Sequence, residues 1–120
     1  MTRPTDTPAS PPLDTDAFLR TLRGDAALAA ALAALFLSEY PHQLDAVRQA
    51  VAAGDAKGLE QAAHLLRGSV GNFVATEATA AAARLEAFGR SGDLSQATGA
   101  LRALEAALER LTPALREIAA

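Results

Sequence analysis

Cysteine and tryptophan are both absent from this chain. Without cysteine there is no disulfide framework, no thiolate-ligated zinc and no thiol nucleophile. The 2 histidines have no facing cysteine, so a structural metal site is not expected. Strand-forming residues are scarce too: 4 valines, 1 isoleucine, and aromatics at 4% of the residues. Strands favour those types, so a β-sandwich, a β-barrel or a Rossmann-type sheet does not fit. No apolar run reaches the roughly 18–20 residues of a membrane span. Positive charge is in deficit, with Lys+Arg at 11 against Asp+Glu at 14 and a net charge of -3. Nothing here would hold a phosphate backbone by charge, and neither nucleic acid nor a membrane is an expected partner.

What the chain has instead is 31 alanines and 18 leucines among its 120 residues. That is a helix-former's composition at a length that allows one domain. Of the 6 prolines, Pro4, Pro8, Pro11 and Pro12 fall in residues 1–12, among Thr, Asp and Ser. Such a stretch buries too little apolar surface to offset its ordering entropy. Residues 1–12 therefore read as a disordered tail, with a docking arm as the other reading, and 13–120 as a helical domain. The tail is not a charged-then-apolar secretion signal, so the expected compartment is the cytoplasm.

From Leu13 onward the pattern is helix, break, helix. Asp14 can cap a short helix through Phe18, Leu19 and Leu22 that stops at Gly24. Asp25 caps the next, with Leu28, Leu32, Leu35 and Phe36 at helical spacing and Leu44, Val47 and Val51 continuing the stripe to Gly54. Pro41 either opens a new helix or bends this one. Gly54-Asp55 reads as stop and cap, and Gly92-Asp93 repeats that signature. Thr76 to about Phe88 forms a helix with Ala78, Ala81, Leu85 and Phe88 inward. The last helix carries a heptad-like seam from Leu94 through Leu101, Leu108 and Leu115 to Ile118. Pro113 should kink or break it around Arg110 to Thr112. Short connections make long helices antiparallel. The expected fold is all-α: an up-down antiparallel four-helix bundle with a short additional N-terminal helix, able to close as a monomer.

The segment from Asp55 to Phe73 departs from this regularity. On a helix turning about 100° per residue, Leu59, Ala62, Ala63, Leu66, Val70 and Phe73 share one stripe. His64 points about 140° from the stripe's centre on the same geometry, toward solvent. Arg67 flanks it, and Gly68 and Gly71 follow on its side. Each glycine inside a helix costs about 1 kcal/mol against alanine, in a chain that uses alanine freely. Either the two glycines sit at a close helix crossing, or they leave a bare strip where another molecule can approach the imidazole. A neutral imidazole is a competent nucleophile near pH 7. A neighbouring guanidinium would attract a phosphoryl group carried on it. An exposed nucleophile beside a cation suits phosphoryl transfer in which a partner supplies the rest of the site.

Ala63-His64-Leu65-Leu66-Arg67-Gly68-Ser69, followed by Gly71-Asn72-Phe73, resembles the signature of histidine-containing phosphotransfer (HPt) domains, A-H-x-L-K-G-S-x-G-N-x-G-A. The likeness extends over residues 15–118, through Pro41, Gly54-Asp55, Leu85-Glu86 and Gly92-Asp93-Leu94. It implies a phosphorelay intermediate of two-component signal transduction. His64 would be the phosphoacceptor, Arg67 the basic residue stabilising the phosphoryl group, and Gly68 the residue keeping the docking surface open. Gly71, Glu60 and Gln61 would border the partner, with Arg48 and Arg84 as further candidates, whereas His42 reads as a solvated surface residue. The partner implied is the receiver domain of a response regulator or hybrid histidine kinase, which brings the aspartate and Mg²⁺. No cofactor and no ATP site belong to this chain, which has no G-x-x-x-x-G-K-[ST] loop. It would be a phosphocarrier, not a kinase.

Two positions depart from that signature. Arg67 stands where lysine is usual, keeping the charge but presenting a planar fork. Val74 stands where glycine is frequent. Valine resists the left-handed backbone glycine would adopt, so the helix is expected to run on or to turn differently there. Two other readings stay open: a helical adaptor that binds a receiver without taking phosphate, and the dimerising hairpin of a histidine kinase. Leu65 speaks against the second, which usually has an acidic residue directly after its histidine.

Overall fold

The structure, a computed structural model, describes residues 13–120, so the expected disordered tail lies outside the described residues. Five helices follow in order: α1 (Thr15–Thr21), α2 (Ala26–Ala53), α3 (Ala56–Gly71), α4 (Thr76–Ser91) and α5 (Ala97–Ala119). No strand occurs among the described residues. The three aspartates named from the sequence all cap. Asp14 accepts from the Ala17 amide, Asp25 from Leu28 and Asp55 from Gly58, each at 2.9 Å. Each satisfies a backbone N–H that the first helical turn leaves without a partner. Gly54 and Gly92 end α2 and α4 in the left-handed conformation.

The four long helices close a ring. α2 packs on α3 and α5, and α4 packs on the same two helices from the other side. Their short connections, 54–55, 72–75 and 92–96, reverse the chain each time, giving the antiparallel bundle. Leu59, Leu66, Val70, Leu85, Leu104, Leu111 and Leu115 fill the interior at 0% exposure. α1 lies across one end, where Phe18 meets Phe73 with ring centroids 5.0 Å apart and Phe73 meets Phe36 at 5.3 Å.

Several local expectations are corrected. Pro41 does not open a new helix, the first of its two readings: α2 runs through it for 28 residues. α5 likewise continues through Pro113, so the helix does not break there. That proline removes the N–H owed to the Glu109 carbonyl, and the Thr112 hydroxyl donates to the same carbonyl at 3.4 Å. Asp93 caps no helix. It accepts from the Ser95 amide at 3.0 Å in a turn, and α5 starts only after Gln96. Leu28 and Leu35, read as apolar-stripe residues, are 43% and 53% exposed. The smaller Ala29 and Ala33, with Phe36, take the buried face of α2 instead.

Val74 departs from expectation most. α3 does not run on; it ends at Gly71, and Val74 adopts φ 55°, the left-handed region. A β-branched residue there costs roughly 1–2 kcal/mol. Phe73 and Ala75 on either side are 2% and 0% exposed. Their anchoring in the core fixes the turn despite the strain.

Candidate functional site

α3 points His64 outward because its neighbours are claimed by the core. Leu59, Ala63, Leu66 and Val70 are all at 0% exposure. The His64 side chain, on the opposite face, is 67% exposed. A Cβ built on Gly68 or Gly71 would meet nothing within 4 Å. The strip beside the imidazole is therefore open, and neither glycine serves a helix crossing. Arg67, one turn on, brings its Nη2 to 3.3 Å from His64 Nδ1.

The close crossing occurs at a different glycine. On α4, a Cβ at Gly89 would stand 2.7 Å from the Ala56 carbonyl oxygen and 2.8 Å from Glu60 Cα. Only a bare Cα lets α4 approach α3 this closely. That approach carries Glu86, one turn earlier on α4, under the imidazole. Glu86 Oε2 lies 2.9 Å from His64 Nδ1, and Oε1 accepts from Arg67 Nε at 2.6 Å. Arg90 reaches the same carboxylate, Nη2 donating to Oε2 at 3.1 Å, while its Nε donates to Glu60 at 3.1 Å. The Glu86 side chain is 7% exposed, and a charge so placed requires partners. Here it has two guanidinium groups and an imidazole.

These contacts determine the charge state of the cluster. The hydrogen bond from Arg67 holds the Glu86 carboxyl below its ordinary value, outweighing burial, which pushes the other way; the hydrogen bond from His64 adds to the lowering. Glu86 is therefore a carboxylate near neutral pH. A carboxylate only accepts, so the 2.9 Å contact requires the proton on Nδ1. The Arg67 Nη2 at 3.3 Å also only donates, so it is a neighbour of that N–H and not its partner. The neutral ring then carries its free lone pair on Nε2.

Of the site residues named from the sequence, His64, Arg67 and Glu60 come together in this cluster, with Gly68 and Gly71 bare beside it. Gln61 is exposed and makes none of these contacts. Arg84 is exposed and outside the cluster, and Arg48 pairs with Glu105 of α5 at 2.7 Å instead. His42 is exposed on α2. Glu86 and Arg90 were not assigned any role in the site by sequence reasoning. One signal was present: Glu86 occupies the buried stripe of α4 with Ala82, Leu85 and Gly89. A carboxylate on an apolar stripe implies a cation facing it.

Two apolar features adjoin the histidine. Leu65, next to it, is 59% exposed. Ser69 and Asn72 line both the cleft beside His64 and a groove that α2 walls with Leu32, Leu35 and Glu39. The exposed Leu35 thus belongs to one continuous surface with the imidazole.

No curated protein sequence matches this chain. Among solved structures, it superposes on the crystal structure of histidine-containing phosphotransfer protein B (HptB) from Pseudomonas aeruginosa PAO1 with a TM-score of 0.82. The identity is 22%, and the match covers 91% of this chain and 95% of that one, so the two share a fold. No single helix among the described residues is long and apolar enough to cross a membrane. The family model described as "Hpt domain" matches residues 31–114, well over half the sequence, and the chain belongs to that family of histidine phosphotransfer domains.

Proposed function

We propose that this protein is a phosphorelay intermediate that carries a phosphoryl group on Nε2 of His64 and exchanges it with the aspartate of a receiver domain. The observation that carries this reading is the pairing of His64 Nδ1 with the Glu86 carboxylate at 2.9 Å on a side chain 67% exposed. One nitrogen is tied down and the other is free to act. Arg67 stands at the ring with Nε held by Glu86, and its terminal nitrogens can turn to the phosphoryl oxygens. The bare strip at Gly68 and Gly71 admits the partner's surface. Leu65, Leu35 and the groove wall offer that surface apolar contact.

In the transfer, the Nε2 lone pair attacks phosphorus in line and the partner's carboxylate leaves. The partner's Mg²⁺ would neutralise charge on the transferring group. This chain supplies no cofactor and no ATP site, so it acts as a phosphocarrier and not as a kinase. It works as a monomer in the cytoplasm, with the receiver of a response regulator or hybrid kinase as its partner.

The test mixes the protein with an aspartyl-phosphorylated receiver and follows the label. Wild type should gain an acid-labile, alkali-stable phosphoryl group, and His64→Gln should gain none. Binding of the receiver with no label on wild type would replace this reading with that of a docking adaptor.

A further inference from the structure

The buried carboxylate behind the imidazole bears on the phosphorylated state as well as on the free one. Transfer to His64 forms the Nε2–P bond and breaks the P–O bond to the partner's aspartate, which departs as a carboxylate. The ring began neutral with its proton on Nδ1, so it becomes a phosphorylated imidazolium without gaining or losing a proton. Glu86, already ionised, stands 2.9 Å from that N–H. In the return step the P–N bond breaks, the electron pair goes back to Nε2, and the leaving group is a neutral imidazole. Were Nδ1 deprotonated in between, the leaving group would be an imidazolide anion, and release would be far slower.

We propose that the negative charge of Glu86 keeps the phosphohistidine in its cationic, labile form into the alkaline range, so that the phosphoryl group passes in both directions with no proton transfer. Glu86 is thus a positioning residue that regulates how long the phosphoryl group stays. This rests on the reading of His64 as the carrier.

Other charged groups at the site do not displace Glu86 from this role. From its own helix His64 faces Arg67, and from α4 it faces Glu86 with Arg90 behind; Glu60 is held by Arg90. From α2, Glu39 lines the neighbouring groove and not the cleft at the ring. Glu86 is thus the carboxylate in contact with the ring. Arg67 holds it at Oε1 and Arg90 at Oε2, the oxygen that Nδ1 also meets, and the two guanidinium groups keep it ionised.

The experiment phosphorylates three samples with potassium phosphoramidate: the wild-type protein, Glu86→Gln, and a synthetic peptide of residues 60–72. Loss of phosphohistidine is then followed from pH 5 to pH 10 by ³¹P NMR. In each, lability falls as the ring loses its Nδ1 proton. An opposite charge at hydrogen-bond distance favours the charged ring by about one pH unit or more, so the wild-type midpoint should lie about one unit above the peptide's. At a pH above both midpoints, wild type should then lose phosphate roughly tenfold faster than the peptide. Glutamine keeps the shape and can accept from Nδ1 but carries no charge, so Glu86→Gln should fall to the peptide's midpoint or below. The ¹⁵N shift of Nδ1 in phosphorylated wild type reports the same proton directly and needs no variant to fold. Coincident midpoints for wild type and peptide, or for wild type and Glu86→Gln, would overturn the proposal. A raised wild-type midpoint in a protein that takes nothing from a phosphorylated receiver would overturn the phosphorelay reading and leave only the effect of Glu86 on the phosphorylated ring standing.

Discussion

Glu86 is also where the residue scale and the pH scale meet in folding. Its carboxyl is held below its ordinary value of 4.5 by the Arg67 hydrogen bond first, with His64 adding to it. The unfolded chain has neither contact, so it binds the proton more readily than the folded one. The resulting stability is complete above the unfolded value and fades as pH falls toward the lowered folded value. Glu86→Gln removes this contribution and leaves two arginines without their buried carboxylate. Urea denaturation should therefore show the variant less stable than wild type at pH 7, with the gap closing as pH drops below the ordinary value of 4.5. A gap that stays constant over that range would mean that Glu86 stabilises by shape and not by charge.

At the scale of the helix, α3 is built against its own propensity. Gly68 is exposed mid-helix with nothing within 4 Å of the position a Cβ would take. Packing cannot explain it, and alanine there should stabilise the fold by up to about 1 kcal/mol. Gly68→Gln should keep the helicity of wild type by circular dichroism and yet slow phosphoryl transfer from a receiver several-fold. Transfer at the wild-type rate would show that the partner does not approach over this strip.

The same helix shows what could be read from the sequence and what could not. The caps at Asp14, Asp25 and Asp55, the outward His64 and its neighbour Arg67 follow from spacing within one helical turn, so they were legible. Glu86 lies 22 residues from His64 and reaches it only because Gly89 lets two backbones close up. That depends on a crossing the local pattern does not encode. Val74 misled for a related reason: its own preference is overridden by Phe73 and Ala75, which the core anchors. Leu28 and Leu35 misled because apolar spacing alone does not say which of two overlapping stripes faces inward, and alanine won the closer helix contact.

Across the whole molecule, the scaffold and the chemistry are separable. The family match spans residues 31–114 and leaves out α1. Yet Phe18 of α1 is at 0% exposure and packs its ring at a tilt against Phe73, which in turn meets Phe36 of α2. Leu13, just before α1, is 5% exposed. The short helix therefore plugs the end of the bundle where α3 terminates and Val74 turns. Removing a buried phenyl ring costs about 3–5 kcal/mol through lost transfer energy and the cavity left behind, a large share of the stability of a domain this size. The His64 cluster is built from α3 and α4 alone, through Glu60, His64, Arg67, Glu86 and Arg90. No residue of α1 enters it. Phe18→Ala should therefore lower the urea midpoint sharply and leave the rate of phosphoramidate labelling at His64, measured well below that midpoint, within about twofold of wild type. If labelling collapses along with stability while the helices remain formed, the aromatic plug is setting the α3–α4 crossing, and with it the reach of Glu86 to the ring.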